Sequence, residues 1–208
     1  MGFLLCYITD RKALEAGALL SRLEAAVRAG VDLVQIREKD LPTRELIDIV
    51  RPAVQMTRGS SPRLVVNDRF DVALGLGAAG VHLGNHSLPA PIVREVVPPE
   101  FLVGVSCHSL EEAQAAAAAT ANYILLGPIF ETSSKLQYGP PLGLAKLREV
   151  AAQVSVPILA LGGVTVDRAR ACLEAGAAGI AGISIFQTCA SLERRVAELR
   201  AAMLAESR

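Results

Sequence analysis

Arg37, Lys39 and Lys135 set cationic heads at the ends of apolar runs or in the loops after them, and Ser106, Thr132, Ser134 and Ser184 set hydroxyls in similar places. Cations joined by hydroxyl donors are the chemistry of anion binding, above all of phosphate. The stretch VDLVQIREKD, Val31 to Asp40, shows the pattern most clearly. Read as a strand, it puts Gln35, Arg37 and Lys39 on one face and Val34, Ile36 and Glu38 on the other. An amide and two cations on one face are costly to bury without an anion to meet them. The face is either a solvated strand end or half of a binding site.

LALGGVT, with Gly162 and Gly163, offers backbone N–H groups at a glycine turn into a helix, a second place for a phosphate. Asp68, in VVNDR, has the chemistry of a Mg²⁺ ligand, because Mg²⁺ usually takes one or two carboxylates plus phosphate oxygens. The same residue after a strand also reads as a helix cap. The three histidines differ in kind. His82 alternates with Val81 and Leu83, as a hydrogen-bonded core residue would, and His86 is a loop residue without a clear role. His108 lies two positions after Ser106 on the same face, where it could transfer protons near neutral pH. It also precedes Ser109 and Glu112, which have the spacing of a capping box.

The elements that must position these groups alternate. FLLCYIT, DLVQIRE, RLVVND, GVHLG, LVGVSCH, YILLGPI, PILALGG and GIAGISIF read as strands, the first over Phe3 to Thr9. Between them lie helical stretches such as LLSRLEAAVRAG, RELIDIVRPAVQMTR, SLEEAQAAAAAT, LGLAKLREVAAQV and VDRARACLEAG, and SLERRVAELRAAML comes last. Small-residue turns in RAGVDLVQ, GAAGVHLG and GAAGIAGIS mark helix-to-strand joints. Eight such strands predict an α/β fold, a (β/α)₈ TIM barrel, as a single domain over residues 1–208. In that architecture the polar groups gather at the C-terminal strand ends, where barrel active sites lie.

Composition narrows the partners. Lys+Arg and Asp+Glu both total 21, so no global field recruits nucleic acid or an acidic membrane surface. No apolar run approaches the length of a membrane span. Cys6, Cys107, Cys172 and Cys189 form no CxxC pair and read as small buried hydrophobes in a reducing compartment. The first apolar run has no basic region before it and reads as a strand, not a signal peptide. The expectation is a cytoplasmic protein that binds small molecules, with monomer and homodimer both open.

VQIREKD, VVNDR, GVHLG, GVSCHSLEEA, GPIFETSSK, ALGGVT and GIS occur in this order over nearly the whole chain. Together they resemble the thiamine-phosphate synthase family and its thiazole tautomerase branch. The resemblance implies a (β/α)₈ barrel that joins a phosphorylated pyrimidine, as hydroxymethylpyrimidine diphosphate, to a thiazole phosphate, with release of pyrophosphate. On that likeness Gln35, Arg37, Lys39 and Asn67 match the positions that hold the pyrimidine diphosphate. Ser106 and Lys135 match further diphosphate contacts, and Asp68 matches a Mg²⁺ ligand. Thr132, Ser134, Gly163, Ile183 and Ser184 match the thiazole-phosphate site. The chain departs from the family at GVHLGNHS, where Ser87 stands in place of the second Mg²⁺ carboxylate; Mg²⁺ binding is then expected to be weak or substrate-assisted. The FET of FETSSK and the retained His108 resemble the tautomerase branch, which isomerises a carboxythiazole phosphate by proton transfer at that histidine. A barrel that only binds a phosphate or thiazole ligand is the remaining alternative.

Overall fold

The computed structural model describes residues 3–132 and 140–204. Eight parallel strands close on themselves in chain order: β1 (Leu4–Ile8), β2 (Leu33–Ile36), β3 (Arg63–Asn67), β4 (Gly80–Leu83), β5 (Leu102–Cys107), β6 (Tyr123–Leu126), β7 (Ile158–Leu161) and β8 (Gly179–Gly182). The helices around them are α1 (Leu19–Ala29), α2 (Thr43–Thr57), α3 (Phe70–Leu76), α4 (Ala90–Val96), α5 (Leu110–Ala118), α6 (Gly143–Gln153), α7 (Val166–Glu174), α8 (Ser184–Gln187) and α9 (Leu192–Leu204). The expected (β/α)₈ barrel is the fold observed.

Alternation along the strands produces two cores. Outward residues such as Leu5, Val34, Ile36, Val66 and Val81 meet Leu23, Val50, Val93, Leu147 and Leu199 from the helices. Each such buried side chain stabilises the fold by about 1.5–3 kcal/mol. Inward residues Cys6, Ile8, Leu33, Val65, Leu125, Leu159 and Ala181 fill the barrel itself. In α1 the buried Leu19, Leu23 and Ala26 recur at helical spacing, and Gly30 ends the helix in the left-handed region at φ 77°.

All eight strands are shorter than the runs from which they are read. The first strand is one residue shorter at each end than Phe3 to Thr9. The eighth stops at Gly182, so Ser184 is not a strand residue; it is the first residue of α8. Ile185 and Phe186 of α8 are both buried, which is why GIAGISIF reads as one continuous apolar strand.

Candidate active site

On one side of the mouth, β2, β3 and the loop after β4 contribute a continuous chain of hydrogen bonds. Gln35 faces inward two residues after Leu33, and Asn67 two after Val65, so the two amides stand on the inner apolar layer. Gln35 Nε2 donates to Asn67 Oδ1 at 3.1 Å, and Asn67 Nδ2 donates to Asp68 Oδ2 at 2.6 Å. Gln35 is 1% exposed, and its Oε1 is buried without a hydrogen-bond partner among the described residues. Asp68 does not cap a helix: the N-cap of α3 is Arg69. Its backbone is held at φ 62°, a left-handed conformation uncommon for a non-glycine residue. Ser87 Oγ donates a short hydrogen bond to Asp68 Oδ1 and accepts one from the Gly84 N–H at 2.7 Å. Ser87, where the resemblance leads one to expect a second carboxylate, is therefore bonded to Asp68.

β2 ends at Ile36, so Arg37 to Asp40 form the turn beyond it and strict alternation stops there. Glu38 is 5% exposed. It accepts Thr9 Oγ1–H at 2.6 Å and the Arg11 backbone N–H at 3.1 Å. Thr9 Oγ1 in turn accepts the Arg37 backbone N–H at 2.9 Å. The Arg11 guanidinium also forks onto Asp40 at 2.7 and 2.8 Å, holding that carboxyl well below the usual carboxylate range. This clamp fixes the turn from which Arg37 and Lys39 project. Arg37 is half-buried, Lys39 is exposed, and neither has an ion-pair partner among the described residues.

On the other side, Ser106 of β5 is half-buried and lies 2.9 Å from His82 Nε2. His82 is 1% exposed with both ring nitrogens bonded, the hydrogen-bonded core histidine that its strand position predicts. His108 Nδ1 makes a short hydrogen bond to the Gly127 carbonyl. The expected cap is present in modified form. Ser109 Oγ accepts the Glu112 N–H at 3.1 Å, but the Glu112 carboxylate reaches the His108 N–H at 2.6 Å. His86 is an exposed loop residue. Thr132 is half-buried, and Ser134 and Lys135 lie outside the described residues.

β7 and β8 run in register, Leu161 opposite Ala181, so Gly162-Gly163 and Ile183-Ser184 leave the barrel side by side. Gly163 has φ 61°, and a Cβ there would stand 2.5 Å from the Glu131 carbonyl oxygen, so the turn requires glycine. Neither the Gly163 nor the Ser184 backbone N–H donates to a described residue. Arg168 holds the turn from behind, donating to the Gly163 carbonyl at 2.9 Å and stacking 4.8 Å over the Phe130 ring. Arg22 donates to the Phe186, Gln187 and Cys189 carbonyls, the last two at 3.0 Å, and Arg195 to Ile185 O at 3.0 Å. These arginines and the Thr9–Glu38 clamp escaped the sequence reading, because each looks like ordinary helix or strand-end polarity.

The cysteines are all free; three are buried and Cys189 is half-buried. Burial pushes the Cys107 thiol up to about 12 and the Cys172 thiol to about 11, which keeps both as unreactive thiols. For Mg²⁺ the donor set fits. Each Asp68 oxygen accepts one hydrogen bond and keeps a lone pair, and Mg²⁺ usually takes one or two carboxylates plus phosphate oxygens. Among the described residues no three His, Cys, Asp or Glu side chains cluster as a metal cage. No helix among the described residues is long and apolar enough to cross a membrane.

A family model described as thiamine monophosphate synthase matches residues 5–186. The chain is 42% identical over 183 residues to the thiamine-phosphate synthase of Roseiflexus sp. (strain RS-1), covering 88% of this chain and 78% of that protein. To the thiamine-phosphate synthase of Roseiflexus castenholzii it is 44% identical over 177 residues, 85% of this chain and 78% of the relative. Among solved structures, thiamine phosphate pyrophosphorylase from Pyrococcus furiosus superposes with a TM-score of 0.87 at 34% identity, over 97% of this chain and 95% of the other.

Proposed function

The chain belongs to the thiamine monophosphate synthase family, and from that premise we propose that it condenses hydroxymethylpyrimidine diphosphate with a thiazole phosphate. The thiazole nitrogen forms a bond to the pyrimidine methylene, the bond from that carbon to the diphosphate oxygen breaks, and pyrophosphate leaves. The observation that carries this reading is the buried Gln35 Oε1, unpartnered among the described residues, beside the Asn67–Asp68–Ser87 chain. A buried acceptor without a donor is costly, and the amino group of the pyrimidine ring of thiamine is a donor of the kind it lacks.

Departure of the diphosphate concentrates negative charge, and groups placed to meet that charge lower the barrier. Arg37, Lys39 and Lys135 take this role, with Ser106 and Asn67 as hydrogen-bond donors to the diphosphate. Thiamine-phosphate synthases are generally Mg²⁺-dependent. Here Asp68 would hold the ion together with the substrate's own phosphate oxygens, and the ion would add to the neutralisation of the leaving group. Gly163 and Ser184 offer N–H donors to the thiazole phosphate, with Thr132, Ser134 and Ile183 completing that subsite. A cytoplasmic location and one domain over the full chain go with this reading.

The experiment supplies purified protein with both substrates and follows thiamine phosphate, with and without Mg²⁺. Product that forms with Mg²⁺ and disappears with chelator is expected. One observation favours a second activity: the Gly127 carbonyl requires a proton on His108 Nδ1, which leaves Nε2 of the neutral ring as a base. Isomerisation of carboxythiazole phosphate in chelator, without condensation at any Mg²⁺ level, would replace the synthase reading with a tautomerase.

A further inference from the structure

Three adjacent strands hold a buried polar line beneath the mouth. His82 Nδ1 lies 3.1 Å from the Tyr123 hydroxyl, and its Nε2 lies 2.9 Å from Ser106 Oγ. The register pairs His82 of β4 with Gly104 of β5, and Gly104 with Tyr123 of β6. Tyr123 thus reaches across a strand that has no side chain at that level. A Cβ on Gly104 would stand 2.1 Å from the tyrosine ring.

The tyrosine sets the direction of the hydrogen bonds. Its ring is 5% exposed, and burial pushes the phenol pKa well above its ordinary value, so the hydroxyl keeps its proton. Its one acceptor among the described residues is His82 Nδ1. A neutral imidazole that accepts at Nδ1 carries its hydrogen on Nε2 and donates it to Ser106 Oγ. A hydroxyl that already accepts from the histidine has its own hydrogen left for another partner. Ser106 is half-buried and has no other hydrogen bond among the described residues.

We propose that His82 is a positioning residue: with Tyr123 behind it, it fixes the Ser106 hydroxyl as a hydrogen-bond donor toward an anionic oxygen at the mouth. That this oxygen belongs to diphosphate rests on the proposed synthase reaction. The tautomer does not, since it is a property of the unliganded chain. Nothing in the line touches substrate except Ser106.

The first measurement is a long-range ¹H–¹⁵N spectrum of the full ¹⁵N-histidine-labelled chain, with His82 assigned among its three histidines by loss of signal in His82→Gln. The expected result is a single Nε2–H tautomer at neutral pH, replaced by a mixture in Tyr123→Phe. An Nδ1–H tautomer or an imidazolium in the wild type overturns the proposal. The second measurement is the affinity for inorganic pyrophosphate with Mg²⁺. Tyr123→Phe should weaken it about tenfold in the wild-type background, as loss of one hydrogen bond to a charged group does, and should change nothing in Ser106→Ala. Equal losses in both backgrounds overturn the proposal, because the tyrosine would then not act through Ser106. Absence of pyrophosphate binding to wild type counts against the synthase reading, while the spectrum still decides the tautomer.

Discussion

At the scale of single residues, the informative position is Ser87. Its hydroxyl accepts from the Gly84 N–H and donates to Asp68, and a carboxylate could do only the first. An aspartate there would set two anions side by side, which repel until a cation lies between them. On the proposed synthase reading, the serine would favour the metal-free protein and loosen its hold on Mg²⁺. Ser87→Asp should lower the melting temperature in chelator and recover it as Mg²⁺ is added. The Mg²⁺ concentration for half-maximal rate should fall about tenfold, the lower end of what outer-shell changes do to metal affinity. A variant whose melting temperature and Mg²⁺ requirement both match wild type would show that the ion does not reach this pair. The departure at Ser87 was readable from GVHLGNHS once set against the family's pattern. Its bond to Asp68 was not, because it depends on how the loop after β4 folds back to β3.

At the scale of elements, the strands were legible because apolar runs and small-residue turns recur, and the eighth was misread because Ile185 and Phe186 are as buried in α8 as they would be in a strand. What holds α8 is not legible at all. Arg22 bonds the Gln187 carbonyl across 165 positions of sequence, and no local pattern announces a guanidinium whose partners are backbone oxygens. Arg22 serves three carbonyls beyond and within the end of α8 from a partly buried position. Arg22→Met keeps the stem and removes the donors, leaving those oxygens short of partners. We expect a loss of about 2–3 kcal/mol in urea unfolding, typical of charge-assisted hydrogen bonds. Arg22→Lys should recover little, because an ammonium lacks the planar fork. If α8 serves the thiazole-phosphate subsite, KM for thiazole phosphate should rise while pyrophosphate affinity stays near wild type. A variant that unfolds like wild type would show that the arginine merely rests on α8.

At the scale of the molecule, the closed barrel sets two groups of residues on one rim. Gln35, Arg37, Asn67, Asp68 and Ser106 come from β2 to β5 and the turns after them, and Gly163, Ile183 and Ser184 follow β7 and β8. The sequence already showed that the polar groups share the C-terminal strand ends, because a parallel barrel places every such end on the same face. It could not show which side chains brace each group. The first rests on the Thr9–Glu38 clamp and the His82 line, and the second on Arg168, Arg22 and Arg195. Among the described residues the two braces meet where Gln187 Nε2 donates to the Asp10 carbonyl at 2.8 Å. Gly163 and Asp68 share no partner among those residues, so damage at one should not spread to the other, since sites without common partners behave additively. Gly163→Ala forces a side chain into a left-handed turn against the Glu131 carbonyl, at a backbone cost of about 1–2 kcal/mol. It should weaken thiazole-phosphate binding about tenfold and leave pyrophosphate affinity alone. Asp68→Asn should do the reverse, weakening Mg²⁺-dependent pyrophosphate binding. Measured by calorimetry, the double variant should show each single loss unchanged, while its condensation rate falls below that of either single variant, because bond formation needs both substrates held at once. Coupling of more than about 0.5 kcal/mol between the two binding losses would mean that the barrel transmits strain across its mouth, and that the two halves act as one site.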